Sequence, residues 1–127
     1  MTDARWDKVG DPPMHYDRLG VPISLREWAL LYNDKEYFRI GSTVVDGHWW
    51  ISTVWLGLVS NPWGPPLVYE TMVFNLTSDD PRTEWELRRY HTEDEARIGH
   101  LEMVHLVETM DAVTTTELEG AADEDQR

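Results

Sequence analysis

The sequence contains no cysteine, which excludes disulfide bonds, thiolate zinc sites, iron–sulfur clusters and cysteine nucleophiles. It also lacks an apolar run of the roughly 18 residues that a membrane-spanning helix needs, and no apolar stretch at its N-terminus suits a signal peptide. We therefore expect a cytoplasmic protein. Its 127 residues are enough for one domain with a thin hydrophobic core.

Basic residues are scarce as well. The chain has 11 lysines and arginines against 24 acidic residues, a formal net charge of −13. Direct nucleic-acid binding needs a basic patch, and the one candidate cluster, Arg82, Arg88 and Arg89, lies among acidic residues. We therefore expect no direct contact with nucleic acid.

The acidic residues are concentrated in the C-terminal third, because fifteen of the 24 follow residue 78. Residues 111–127 combine many acids with few large apolar groups, which predicts a disordered acidic tail. An alternative is that this third mimics a nucleic acid and competes for a basic protein surface. The Pro- and Asp-rich residues 1–15 predict a flexible N-terminal arm, which leaves residues 16–110 as a single domain.

Capping and turn signals predict the first half of that domain. Ser24 and Glu27 form a capping box for a helix from Leu25 to about Tyr32. Two strands follow, over residues 37–45 and 48–59, and Asp46-Gly47 between them suits the two positive-φ positions of a type I′ hairpin.

The second half continues with alternating strands over residues 67–76 and 84–90. Thr92 and Glu95 then form a second capping box, which begins a helix from Glu93 to about Met110. The pattern predicts an α+β fold: a single domain with about four antiparallel strands in a meander, and an N-terminal and a C-terminal helix packed on the sheet.

Tryptophan is unusually common, with seven among fourteen aromatic residues. Four of them, Trp49, Trp50, Trp55 and Trp63, fall within fifteen residues. Trp49 and Trp50 are adjacent on a strand and must point to opposite faces of the sheet. They are candidates for a partner- or ligand-binding surface, because exposed aromatics are typical of protein interfaces and ring-stacking sites. The alternative is that they fill a thin core.

Glu70 and His100 are the candidate polar pair. Glu70 lies in an otherwise apolar strand, and His100 follows Gly99 on the sheet-facing side of the predicted helix. An inward Glu70 needs a partner, and His100 with Tyr90 nearby could define a polar spot in an apolar pocket. The alternative places Glu70 in solvent and His100 at the boundary of the core.

Enzymatic motifs are missing. No nucleophile elbow or phosphate-binding glycine loop is present, and the histidines of the last helix are not spaced to share a metal. We assign no catalytic residue, metal site or cofactor, and keep an enzyme with a Glu70–His100 dyad as a minor hypothesis.

Several sequence segments resemble those of a known group of proteins. They are STVWLGL at residues 52–58, PPLVYETMVF at 65–74, YHTEDEARIGH at 90–100 and, near the start, YDRLG at 16–20. These are similar to an uncharacterised small-protein family of actinobacterial phages and prophages, over about residues 16–105. The resemblance implies a phage-encoded accessory protein acting in a bacterial cytoplasm, and it implies no catalytic residue.

Three functional hypotheses follow from these patterns. The first is a non-enzymatic protein that binds a host or phage macromolecule through an aromatic sheet surface, with the acidic third directing it to a basic partner. The second is a binder of a small ringed ligand or nucleotide, and the third is the nucleic-acid mimic. No membrane contact is expected, and a homodimer through an uncovered sheet face is a further expectation.

Overall fold

A computed structural model describes residues 14–59, 65–80 and 84–125, with side chains described up to residue 110 except for those of 84–86. Its elements are α1 (Leu25–Tyr32), α2 (Lys35–Phe38), β1 (Arg39–Val45), β2 (Trp49–Trp55), β3 (Tyr69–Asn75), β4 (Glu84–Tyr90) and α3 (Glu93–Asp125). The four strands form one antiparallel sheet in sequence order. This confirms the predicted α+β meander with a C-terminal helix packed on it. Most of the predicted arm, residues 1–13, lies outside the described residues.

The first capping box forms as predicted. The backbone N–H of Glu27 donates to the Ser24 hydroxyl, and the Glu27 carboxylate accepts from the Ser24 backbone N–H. The prediction that a strand begins at residue 37 is wrong. Asp34 accepts hydrogen bonds from the next backbone amides and caps the single turn of α2, so the strand begins only at Arg39.

The predicted hairpin forms, and Asp46 (φ 53°) and Gly47 (φ 66°) take the two predicted positive-φ positions. Its register differs from that of a two-residue turn, because Val45 pairs with Trp49, and the second strand begins at Trp49 rather than at His48. The second strand is shorter than predicted and ends at Trp55. It ends there because Gly57 adopts a positive φ of 64°, which turns the chain out of the sheet.

The second capping box begins α3, since the Glu95 backbone N–H donates to Thr92 and the Thr92 backbone N–H donates to the Glu95 carboxylate. The helical backbone continues to Asp125, beyond the predicted end near Met110. The predicted end was placed where large apolar residues become scarce. Helical hydrogen bonds join backbone groups four residues apart, so they can continue beyond the apolar stripe. The expected disordered tail over residues 111–127 stays a prediction.

Two apolar clusters form the core, and both lie between the sheet and the described helices. The first combines Val45, Ile51 and Val73 of the sheet with Met103 and Val107 of α3. The second surrounds Trp55 and Tyr69, with Ala96 of α3 and partly buried residues of α1 and α2 packed on it, among them Trp28, Leu31, Tyr37 and Phe38. Ala96, Met103 and Val107 therefore form the sheet-facing stripe of α3. Within the described residues, no helix has the combination of length and apolar character that crossing a membrane requires.

Candidate functional site

Among the described residues, the helices pack on one face of the sheet and leave the other without a helical layer. The covered face, called the helix-side face, includes Thr43, Val45, Ile51, Thr53, Trp55, Tyr69, Thr71 and Val73. Every described helix contacts it: Trp28 of α1 packs on the Trp55 cluster, Tyr37 of α2 contacts Trp55, and His100 of α3 hydrogen-bonds to two of its threonines.

The opposite face, called the open face, consists of the alternate residues of the four strands. By strand register these are Arg39, Ser42, Val44, Trp50, Ser52, Val54, Glu70, Met72, Phe74, Glu84, Leu87 and Arg89. None of them belongs to either core cluster. In the part of the chain that the structure describes, the sheet therefore has a helical layer on one side only.

An aromatic pair lies at one end of the open face. The rings of Trp50 and Phe74, which are direct cross-strand partners, stack with centroids 5.1 Å apart. The Trp50 indole N–H donates to the Ser42 hydroxyl at 2.9 Å, which fixes the ring orientation. Val44 pairs with Trp50 across the hairpin and is 55% exposed. Together these residues present a rigid, partly exposed apolar surface.

Glu70 lies on the open face and binds Arg89. The Arg89 Nε donates to the Glu70 carboxylate at 3.1 Å, and the Glu70 side chain is 9% exposed while that of Arg89 is 45% exposed. Register places Arg39 and Val54 in the same row across the sheet. A neighbouring guanidinium thus satisfies the carboxylate that the sequence predicted to need a partner, and this partner is not His100.

His100 lies under α3 on the helix-side face, surrounded by hydroxyl groups. Its Nδ1 is 2.7 Å from the Thr53 Oγ1 and its Nε2 is 2.9 Å from the Thr43 Oγ1, and Thr53 in turn bonds to Thr71. Burial lowers the pKa of His100 from 6.5, because the charged ring loses its hydration. The ring is therefore neutral at pH 7.

The structure does not bring Glu70 and His100 together. Glu70 and its neighbour Thr71 point to opposite faces, and His100 contacts the face of Thr71. The sheet separates the carboxylate from the imidazole, so they do not form the acid–base dyad considered from the sequence.

The other described candidates lie on the helix-side face. Trp55 is fully buried, and its indole N–H donates to the Tyr16 carbonyl. Trp49 packs against the first core cluster and stacks on His48. Tyr90 packs against the second core cluster and lies where a side chain on Gly99 would be. Trp63 lies outside the described residues. Of the seven predicted site residues, only Trp50 and Glu70 are thus found on the open face.

Several open-face residues were not among the sequence candidates, chiefly Val44, Met72, Phe74 and Arg89. The turn motif alone does not place Val44, because a two-residue Asp46-Gly47 turn would pair it with Trp49, whereas the structure pairs it with Trp50. Phe74 and Arg89 could not be placed either, since their position beside Trp50 and Glu70 depends on pairings outside that hairpin.

Metal ligands and known relatives give no further assignment. Across the described ranges, no three histidine or carboxylate side chains are arranged to hold a metal ion. No protein-family model matches the sequence, and neither a curated protein nor a solved structure matches it. The resemblance to the phage family stays a prediction, and a functional proposal must therefore be built on the geometry of the sheet.

Proposed function

We propose that the protein is a non-enzymatic interaction protein that binds another protein through its open face. The observation that supports this is the stacked Trp50–Phe74 pair beside the exposed Val44, on a face over which no described helix lies. A contiguous, partly exposed apolar surface of this kind is typical of protein interfaces. Rigid aromatic side chains near the centre of such interfaces supply much of the binding energy.

The hydrogen bond from Trp50 to Ser42 strengthens the proposal. An indole that is already oriented loses little conformational entropy when a partner packs against it. Truncating a central tryptophan at an interface typically costs about 2 kcal/mol or more of binding free energy. Trp50 is therefore the residue on which we expect binding to depend most.

The acidic residues form a separate feature on the other side of the sheet. Glu95, Glu102 and Glu108 are exposed on α3, which packs on the helix-side face. A basic host or phage partner, which the sequence suggested, would be attracted to this helical layer rather than to the aromatic pair. The basic partner and the nucleic-acid mimic remain hypotheses about that second surface.

No structural observation favours the small-ligand alternative. Of the two tryptophans considered for stacking on the ligand, Trp55 is fully buried in the core and Trp50 is stacked on Phe74. His100 is only 7% exposed and already bonded to two threonines. A small-molecule site is normally concave, with polar groups that converge on the ligand. The open face instead offers a sheet surface suited to a protein.

Site-specific cross-linking tests the proposal. A photo-reactive amino acid at Val44 should form an adduct with a protein that mass spectrometry identifies, either a second copy of the chain or another protein from the cell. The complex is then rebuilt from purified components. We expect Trp50→Ala to weaken it by about tenfold or more, because a large aromatic anchor held in a fixed orientation is lost.

The matched control is the same photo-reactive group at Leu101, which is 69% exposed on α3. It should give no adduct with that protein, and Leu101→Ala should leave the rebuilt complex within about twofold of the original affinity. Equal adducts from both positions, or an affinity that Trp50→Ala does not change, would contradict the proposal. Circular dichroism of each variant checks that it is folded.

A further inference from the structure

We propose that the protein seated on the open face is a second copy of this chain, related by a two-fold axis that runs in the interface and across the strands. The inference rests on the proposed function and names the partner of the same surface. It is drawn from how charged and apolar residues are distributed along the strands.

The open face consists of three rows of cross-strand neighbours. The first row, next to the hairpin turn, joins three apolar residues to Glu84, and the middle row is mixed. The third row carries two arginines and one glutamate. In order, the rows are Val44, Trp50, Phe74 and Glu84; Ser42, Ser52, Met72 and Leu87; Arg39, Val54, Glu70 and Arg89.

The two ends of the face carry opposite charge. Exposed Asp46 lies in the turn beyond the first row, and exposed Asp79 and Asp80 follow β3 at the same end. At the far end, Arg39 and Arg89 outnumber Glu70 and give the third row a net charge of +1. The face is therefore acidic at the turn end and basic at the other.

This polarity makes the face complementary to itself. A two-fold axis across the strands, over the middle row, places the turn end of each copy on the basic end of the other. Arg39 then approaches Asp46 of the second copy, Trp50 packs over its Val54, and Phe74 packs over its Glu70–Arg89 pair. Met72 lies near the axis and meets its own counterpart. An axis along the strands would instead bring the aspartates together.

The net charge of −13 does not prevent this contact. The exposed acids of α3 lie behind the sheet, on the helix-side layer. Two stacked sheets are about 10 Å apart, and the two helical layers are farther apart still. Because the Debye length is about 8 Å at physiological ionic strength, repulsion between those layers is largely screened.

The size of the face indicates a weak dimer. Each strand has seven residues, so the face measures about 23 Å by 19 Å, a footprint of about 440 Å² per copy. The pair buries about 900 Å², less than the roughly 1,200 Å² of standard stable interfaces. We therefore expect a reversible dimer with a dissociation constant of about 10 to 100 µM.

Charge reversal with the full-length chain tests the arrangement by sedimentation equilibrium, at about 1 to 300 µM. Arg39→Asp and Asp46→Arg should each weaken the dimer by about tenfold or more, because each places like charges together at both ends. An equimolar mixture of the two variants should dimerise at least as strongly as the wild type, since every contact then joins opposite charges.

Two controls separate charge from fold. Arg26→Asp makes the same charge change at an exposed position of α1, away from the open face, and should leave the dimer unchanged. Asp46→Asn keeps a residue that tolerates the positive φ of 53° and should weaken the dimer less than Asp46→Arg.

The outcomes distinguish this inference from the proposed function. A chain that stays monomeric at the highest concentration, while Val44 cross-links to another protein, overturns the dimer and leaves the proposed function standing. A dimer that the charge reversals do not weaken, or that the mixture does not restore, also overturns the inference. A monomer without any adduct from Val44 overturns both.

Discussion

At the scale of single residues, His100 shows how a polar group is accommodated in this core. Its two ring nitrogens bond to Thr43 and Thr53, and Gly41 leaves the space against the ring. Two threonines on neighbouring strands thus replace the water that His100 loses on folding. The threonine hydroxyls satisfy the polar atoms of the neutral ring, whereas burial still disfavours the charged ring.

This burial predicts a pH dependence of stability. Above pH 6.5, the ordinary pKa of the ring, His100 is neutral in both the folded and the unfolded chain and its contribution to stability is complete. As the pH falls below 6.5, the unfolded chain takes up a proton that the folded chain resists, because the folded pKa is lower. The free energy of unfolding then falls by at most about 1.4 kcal/mol per pH unit, until the folded pKa is reached.

Urea unfolding between pH 7.5 and 5.5 checks this prediction with His100→Asn, which does not titrate. The variant should be less stable at pH 7.5 and should lose the part of the pH dependence that His100 supplies. His105→Asn, at an exposed position of the same helix, is the matched control and should behave like the wild type. If wild type and His100→Asn show the same slope against pH, His100 is not the titrating group.

Local signals predict most of the secondary structure of this chain. The two capping boxes and Asp46-Gly47 depend only on neighbouring residues, and all three form. The turn of α2 was missed because the alternating apolar residues after Asp34 resemble a strand. Hydrogen bonds from the following backbone amides to Asp34 hold that segment in a helical turn instead.

The candidate site depends on contacts that local signals do not determine. Both faces of β3 carry apolar residues, so the direction of Glu70 could not be read from alternation alone. The register of β3 against β2 places Glu70 beside Val54 and Thr71 beside Thr53. A long connection, from Leu56 to Val68, separates these strands in the chain, so no turn motif determines that register.

The contact of α3 with the N-terminal segment makes a prediction at the scale of elements. Arg18 binds the Glu93 carboxylate through Nε at 2.9 Å and through a terminal nitrogen at 2.6 Å, and this pairing holds the pKa of Glu93 below 4.5. Glu93→Gln should therefore lower the free energy of unfolding by about 1 kcal/mol at pH 7.

The difference between wild type and Glu93→Gln has a defined pH window. A lowered carboxyl pKa stabilises the folded chain above pH 4.5, and this contribution is lost as the pH falls through the folded pKa. The two proteins should become equally stable once the wild-type carboxyl is protonated. Glu95→Gln is not a suitable control because Glu95 caps the helix. Glu108→Gln, at an exposed position of the same helix, is the matched control. A constant difference at every pH would contradict the ion pair as the cause.

At the scale of the whole molecule, the sheet separates two chemically different surfaces. The helical layer is acidic, whereas the open face carries a mainly apolar row, a mixed row and a row with net positive charge. The sequence suggested a binding surface among Trp49, Trp50, Trp55 and Trp63, and the structure stacks Trp50 of that group on Phe74. The first sequence hypothesis combined an aromatic sheet surface with an acidic C-terminal third. The structure places Trp50 and the exposed acids of α3 on opposite sides of the sheet.

The most direct test of the open face as the surface of association compares two variants by sedimentation. Val44→Lys places a charge beside Trp50, and Ile98→Lys places the same charge on α3, at a position of similar exposure, 60% against 55%. We predict that Val44→Lys weakens the association of the chain by about tenfold or more and that Ile98→Lys leaves it unchanged. Equal association of the two variants would contradict the open face as the binding surface.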